Sequence, residues 1–304
     1  MKDIALIKAF LDEKHIAYRE DASGAECTTF RVGGRFALLA EPDSAIKAAE
    51  LFAFARENGY PHYLIGNGSN LLVPDDGLDM LMIRFAGGLA SFRREGNILV
   101  CGAGASLAAA ARSSVMDGFS GLEWAAGIPG TVGGGVAMNA GAYGGEIRQV
   151  IKTVTVFREQ GLETVEVGPD DMGYRRSAFS FPGAVVLEAE FALREDDGTA
   201  RARMDELNAK RREKQPLNYP SAGSTFKRPE GHFAGALIEG AGLKGYSVGG
   251  ACVSEKHAGF VINKGGATAS DVLELIRNVQ SIVLEKYGVM LEPEVRILKP
   301  SEAQ

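Results

Sequence analysis

Three short stretches carry side chains able to do chemistry on a bound molecule. In "SAGSTFK" (221–227) Ser224 follows Gly223, and Lys227 stands three residues on. A serine behind a glycine can present its hydroxyl from a backbone conformation that most residues avoid. In "GYRRSAF" (173–179) adjacent arginines follow Tyr174 and offer a cation for a carboxylate or phosphate. In "LEPEVR" (291–296) Pro293 restricts Glu292 to an extended geometry. Glu292 and Glu294 are therefore expected on an extended segment with similar facing. Each stretch also has an ordinary structural reading: Ser224 as a turn or cap, Arg175 as a surface ion pair, Glu294 as a solvated carboxylate. Spacing along the chain cannot bring the three together.

Two further stretches look able to hold phosphate. "GIPGTVGGGVAMNAGAYGG" (127–145) has eight glycines in nineteen residues and no charge. Glycine gives up the most backbone freedom on folding, so either positive φ angles or a close approach to the backbone must require it. "GNGSN" (66–70) follows a strand-like "HYLI". Backbone N–H groups exposed in glycine turns form anion-binding nests, and a Ser or Asn side chain adds a donor. Two such nests suit a pyrophosphate gripped from both sides. Neither is a familiar fingerprint. The third glycine of G-x-G-x-x-G is replaced by Leu71 after Gly66 and Gly68, and by Leu107 after "GAG" at 102–104. "GAGLKGYS" (240–247) has Tyr246 where a phosphate-binding loop needs lysine.

The elements that must position these residues are mixed. Helices are expected over "EPDSAIKAAELFAFARENGYP", capped by Asp43 or Ser44, and over "SLAAAARSSVMDG", capped by Ser106 and closed by Gly118. Another follows over "SDVLELIRNVQSIVLEKYG", capped by Ser270 and stopped by Gly288. "TVTVFREQGLETVEV" reads as a hairpin and "AVVLEAEFAL" as a buried strand. "GTARARMDELNAKRREKQP" reads as a charged helix near a domain boundary at about residue 200. The opening "MKDIALIKAFLDEKH" is an amphipathic helix with Ile4, Ile7, Phe10 and Leu11 on one face.

The chain has 304 residues, 45% of them hydrophobic, which is enough for two domains. A net charge of −6 argues against a nucleic-acid binder, though a basic pocket is invisible in a net charge. Three distant cysteines read as buried thiols in a reducing compartment. No histidine pair has metal-ligand spacing, so no metal site is expected. No targeting segment and no membrane-spanning run are seen. The expectation is a cytoplasmic protein, a monomer or weak oligomer, with neither nucleic acid nor membrane as partner.

Several stretches, in this order, resemble the UDP-N-acetylenolpyruvoylglucosamine reductase (MurB) family, flavoenzymes of bacterial peptidoglycan precursor synthesis. They are "TTFRVGG" (28–34), "LIGNGSNLLV" (64–73), "GLEWAAGIPGTVGGGVAMNAGAYGGE" (121–146), "YRRSAF" (174–179), "NYPSAGSTFKRP" (218–229), "AGFVINKGGATASDV" (258–272) and "LEPEVR" (291–296). The resemblance implies an α+β chain. An FAD-binding domain of the vanillyl-alcohol-oxidase (PCMH) type, made of two α+β lobes, would span 31–196. An N-terminal helical segment, 1–30, would pack on it, and a smaller α/β substrate-binding domain would span 205–304. Gly66, Asn67, Gly68, Ser69 and Asn70 would form one FAD nest. Gly127, Ile128, Pro129 and Gly130, with Gly133, would form the other, their missing Cβ atoms letting phosphate approach.

The implied reaction is NADPH-dependent reduction of the enolpyruvyl ether of a UDP-sugar through non-covalent FAD. By resemblance Arg175 would hold the substrate carboxylate and Ser224 would donate the proton. Glu294 would assist at the carboxylate, in protonated form. Lys214, Lys227, Arg228 and Asn263 would lie toward the substrate. No inserted tyrosine loop is evident, which resembles the family's shorter subgroup. An FAD-dependent oxidase on the same fold is a rival reading. "TTFRVGGRFALLAEP" has no histidine for a covalent flavin link, which disfavours that form of it. A nucleotide-binding protein without chemistry is a third, from which the loss of Arg175, Ser224 or Glu294 would be expected.

Overall fold

The computed structural model describes residues 4–159 and 161–299. Among the described residues, three sheets of three or more strands and four two-stranded ones are built around two main cores. In the first sheet the strands run Ala17–Ser23, Arg35–Glu41, Leu78–Ile83, His62–Leu64. The outer pair is antiparallel and the rest parallel. Parallel neighbours need a crossover, which the helix Ala45–Glu57 supplies. It buries Ala48, Leu51, Phe52 and Ala55 on one face, and Ser44 caps it by accepting from Lys47 N.

The second sheet is antiparallel throughout, in the order Gly161–Glu166, Ile151–Arg158, Val185–Ala192, Ile98–Gly102, Phe92–Glu95. Val185–Ala192 is central; Val185, Val186, Leu187, Ala189 and Phe191 are buried, while Glu188 and Glu190 lie on its less covered face. Helices Leu107–Met116 and Val132–Ala137 flank this sheet, capped by Ser106 and Thr131. The glycine-rich run is therefore not all loop. Six of its residues form a helix whose small side chains allow close contact: a Cβ on Gly133 would sit 2.8 Å from Ala103 Cβ.

The third sheet, Ser247–Val248, Ala251–Val253 and Val261–Asn263, is antiparallel. Helices Ala234–Gly240 and Ala269–Tyr287 cover it. Its core takes in Phe30, Val32 and Leu72 from the first third of the chain. The first thirty residues, expected as a helical segment, hold the helix Ile4–Glu13 and then the edge strand Ala17–Ser23. That strand is mostly exposed and lacks apolar alternation, so only its backbone pairing with Arg35–Glu41 marks it.

One cap differs from expectation. Thr268, not Ser270, caps the helix Ala269–Tyr287, in a reciprocal box with Asp271. Ser270 is already inside the helix, and its hydroxyl donates to Asp75 Oδ2 at 2.7 Å. Asp75 also accepts from Ala269 N at 2.6 Å and Ser270 N at 2.8 Å. A carboxylate from the first lobe thus sits on the positive end of the longest helix. Burial pushes the Asp75 carboxyl up, but these hydrogen bonds outweigh it and hold it below the ordinary value. A lowered native pKa stabilises the fold above the unfolded value, and the gain is lost as pH falls through the native one. Asp75→Asn is expected to lower Tm by about 2–4 °C at pH 7, for a capping loss of about 1 kcal/mol. In thermal melts the gap from wild type should close as pH drops below the carboxylate range; a gap that persists there would exclude the charge as its cause.

Candidate active site

A cavity of about 570 Å³ lies where the three sheets meet. Gly66–Asn70, Ile128–Gly130 and Gly133 line it, together with Arg175, Ser224 and Glu294. Residues far apart in sequence are thus brought together.

Backbone pairing places two of them. Glu294 N donates to Thr225 O at 2.8 Å, Lys227 N donates to Glu292 O at 2.8 Å, and Phe226 bridges Pro293. Ser224 and Glu294 therefore sit at the ends of two short extended segments in fixed register. Gly223 has φ +77°, which turns the chain so that Ser224 is exposed at the wall. Glu292 and Glu294 do not face alike. The Glu294 side chain is 10% exposed, whereas Glu292 is in solvent and pairs with Lys227 Nζ. Pairing of the segment with Thr225–Lys227 sends one side chain inward and the other out.

Arg175 arrives from a tight hairpin, Met172–Gly173 with Arg176–Ser177. It adopts φ +54°, unusual for a non-glycine residue and a common mark of a functional position. Asn139, 3% exposed, donates to Gly173 O at 3.1 Å and to Glu146 Oε2 at 2.9 Å, so the glycine-rich run anchors this hairpin. Arg175 Nε lies 2.8 Å from Glu294 Oε1. Its N–H is not directed at that oxygen, so the contact is charge pairing and the buried donor keeps no hydrogen-bond partner. Burial pushes the Glu294 carboxyl above the ordinary value, while Arg175 and Lys227 pull it down. The arrangement holds an acid, a cation and a hydroxyl against one space.

The loops offer backbone donors. Among the described residues, the N–H groups of Gly66, Asn67, Gly68, Ser69, Asn70 and Gly130 donate to no other group of the protein. All six residues line the cavity, and a row of free backbone donors there fits an anionic group. The two asparagine amides, expected as further donors, face the protein instead. Asn67 Nδ2 donates to Pro129 O at 2.9 Å and so ties the loops together. Asn70 Nδ2 donates to Glu294 O at 3.1 Å. Most of the glycines are required by packing. A Cβ would meet Thr131 Oγ1 at 2.5 Å from Gly66, Cys27 O at 2.2 Å from Gly68, and Arg211 Cδ at 2.9 Å from Gly127. Gly127 lies outside the cavity wall. At Gly130 the nearest atom would be Ser69 Oγ at 3.5 Å, so this glycine alone of the expected set opens onto the space.

The other expected substrate residues are not on the wall. Lys214 and Arg228 are exposed, Arg228 stacked 4.0 Å over Phe233. Lys227 is held by Glu292. Asn263, 7% exposed, spends its side chain on the chain's own backbone: its amide donates to Phe30 O, and its Oδ1 accepts from Gly265 N and Ala267 N. Its role here is to brace. Sequence reading missed Arg211 and Gln215, which do line the cavity. A signal existed for Arg211, since Ala200, Met204, Leu207 and Arg211 repeat at helical spacing, and three of them are buried.

The free backbone donors, the paired Arg175 and Glu294, and the cavity between two α+β lobes and a third lobe suit a dinucleotide cofactor beside an anionic substrate. Comparison with known proteins agrees. Residues 36–166 match the FAD binding domain family, and residues 215–298 match the C-terminal domain of UDP-N-acetylenolpyruvoylglucosamine reductase. The reductase of Agathobacter rectalis is 51% identical over 285 residues, covering 89% of this chain and 90% of that one. The Clostridium perfringens reductase is 44% identical over 300 residues, covering 98% of both. The crystal structure of the Thermus caldophilus enzyme superposes with a TM-score of 0.80 at 35% identity, over 93% of this chain and 99% of that one. The chain belongs to the UDP-N-acetylenolpyruvoylglucosamine reductase family, an FAD-binding PCMH-type domain joined to that family's C-terminal domain.

Proposed function

We propose that this protein reduces the enolpyruvyl ether of UDP-N-acetylenolpyruvoylglucosamine to UDP-N-acetylmuramate, a step in peptidoglycan precursor synthesis. Its family and its FAD-binding domain make it an FAD-dependent oxidoreductase with NADPH as reductant. The observation that carries the reading is the convergence of Arg175, Ser224 and Glu294 on the cavity that also holds the unpaired loop N–H groups.

When bound, FAD supplies the hydride taken from NADPH. The residues of the chain supply the rest. Hydride addition at the terminal methylene of the substrate leaves negative charge on the adjacent carbon and its carboxylate. Arg175, with its free Nε–H, is placed to hold that carboxylate and offset the charge. Glu294 in its protonated form can donate a hydrogen bond to the same group, and burial favours that form. The exposed Ser224 hydroxyl then delivers a proton to the carbon, completing the reduction. The loop N–H groups of Gly66–Asn70 and Gly130 would hold the cofactor's diphosphate. We place the domain limits at about 31–196 and 205–304; the helix Ala200–Lys214, which runs across the second, packs by Ala200 and Met204 onto the flavin side.

The test is a two-step reaction without oxygen. NADPH should bleach the flavin, and the enolpyruvyl UDP-sugar should restore its absorbance at once; recovery only on admitting air would favour an oxidase. In Ser224→Ala the first step should run as in wild type and the second should slow by about 100-fold or more; an unchanged second step would remove Ser224 from the chemistry.

The rate of the second step should fall as pH rises through the elevated Glu294 value, because the protonated acid is then lost. Glu294→Gln should flatten that limb in stopped-flow traces, and a limb unchanged by the substitution would assign it to another group.

The two glycine roles are separable. Gly133→Ala should destabilise the fold by about 1–3 kcal/mol through its clash with Ala103. Gly130→Ala should melt as wild type yet bind FAD about tenfold more weakly, measured by titrating apoprotein; the reverse pattern would mean that Gly130 serves packing.

A further inference from the structure

Arg211 carries a charge that the protein does not neutralise. It is 9% exposed, the one arginine or lysine among the described residues to be buried. No carboxylate of a described residue lies within ion-pairing distance of it, whereas Arg84 and Arg175 on the same wall each have one. Its Nη1 donates to the Gly127 carbonyl. A guanidinium has five N–H donors, so four remain on a residue that lines the cavity. The Tyr143 ring stands 5.9 Å from its centre.

An uncompensated buried cation is destabilising, and something must offset it. A position in the last turn of the helix Ala200–Lys214 favours a cation. Arg212 and Lys214 satisfy that turn from the surface, however, with no burial. The placement of Arg211 is also built in. Gly127 has no side chain, and a Cβ there would strike Arg211 Cδ and Asn208 Oδ1, both at 2.9 Å. The loop that offers the free Gly130 N–H therefore also docks the guanidinium.

We propose that Arg211 is a diphosphate-binding residue, whose free N–H groups take a phosphate oxygen beside the Ile128–Gly130 loop. This rests on the reading above. Two bound molecules of that reading carry a diphosphate, FAD and the UDP-sugar, and the chemistry of the contact is the same for both.

Arg211→Gln removes the charge and keeps a donor; Arg211→Lys keeps the charge and loses the fork. For each, FAD affinity is read by titrating apoprotein, UDP affinity by the flavin absorbance change of holoenzyme, and apoprotein stability by thermal melting. Arg211→Gln is expected to weaken one diphosphate ligand at least tenfold, with Arg211→Lys between it and wild type. The apoprotein should melt no lower than wild type, since a buried unpaired charge has been removed. Loss of FAD affinity would assign the contact to the cofactor; loss of UDP affinity alone would assign it to the substrate. Both affinities within twofold of wild type would overturn the proposal. So would a fall in apoprotein stability that Arg211→Lys fully restores along with binding in Arg211→Gln unchanged. If Arg211→Gln does not fold, Arg211→Lys carries the same readings. A wild-type holoenzyme indifferent to UDP would count against the UDP-sugar reading and leave the FAD titration to decide Arg211.

Discussion

The architecture depends on one costly condition: a row of backbone N–H groups left without partners beside a cavity. A loop with several free donors would relax into self-bonding if it could, since backbone N–H groups are strong hydrogen-bonding groups. Bracing prevents it. Asn67 pins the first loop to the Pro129 carbonyl of the second, and Asn70 pins its far end to the Glu294 carbonyl. Packing below is tight enough that glycine is needed at Gly66 and Gly68. The glycines make the loops compact, and the asparagines keep them open toward the ligand.

The same braces hold Arg175, Ser224 and Glu294. Asn70 reaches the Glu294 backbone, Asn139 reaches the Arg175 hairpin, and the strand pairing at Phe226 and Pro293 locks Ser224 to Glu294. The glycine loops and the Arg175–Glu294 pair are joined by one connected set of hydrogen bonds. A shift of either loop would be felt at the carboxylate, where a misplacement of about 1 Å is enough to cost two orders of magnitude in rate.

Much of this was legible in the sequence, and the gaps have physical causes. Periodicity and caps locate the helices at Ala45, Leu107 and Ala269 because those signals are local. The cap at Ser270 misleads because its hydroxyl is claimed by Asp75, some two hundred residues away. Family resemblance singles out Arg175, Ser224 and Glu294, but not that the asparagines of "GNGSN" turn inward, since an amide's direction depends on partners brought by folding. "KRREK" reads as a solvated face on composition; only its phase with Ala200 and Met204 puts Arg211 inside. Asn263 is a similar case, a polar residue in a conspicuous motif whose hydrogen bonds are all spent on backbone.

The short strand Arg296–Ile297 lies parallel to Leu71–Leu72, next to the Asn70–Glu294 contact that spans 224 residues. That closure has a consequence for synthesis. At about 5–20 residues per second, a ribosome needs on the order of 10–45 s between making the first nest and making the segment that walls it. Through that interval Leu71–Leu72 has no partner strand and the Asn70 amide lacks the Glu294 carbonyl. Phe30, Val32 and Leu72 likewise wait for the core they join, so the last residues made complete packing begun by the first.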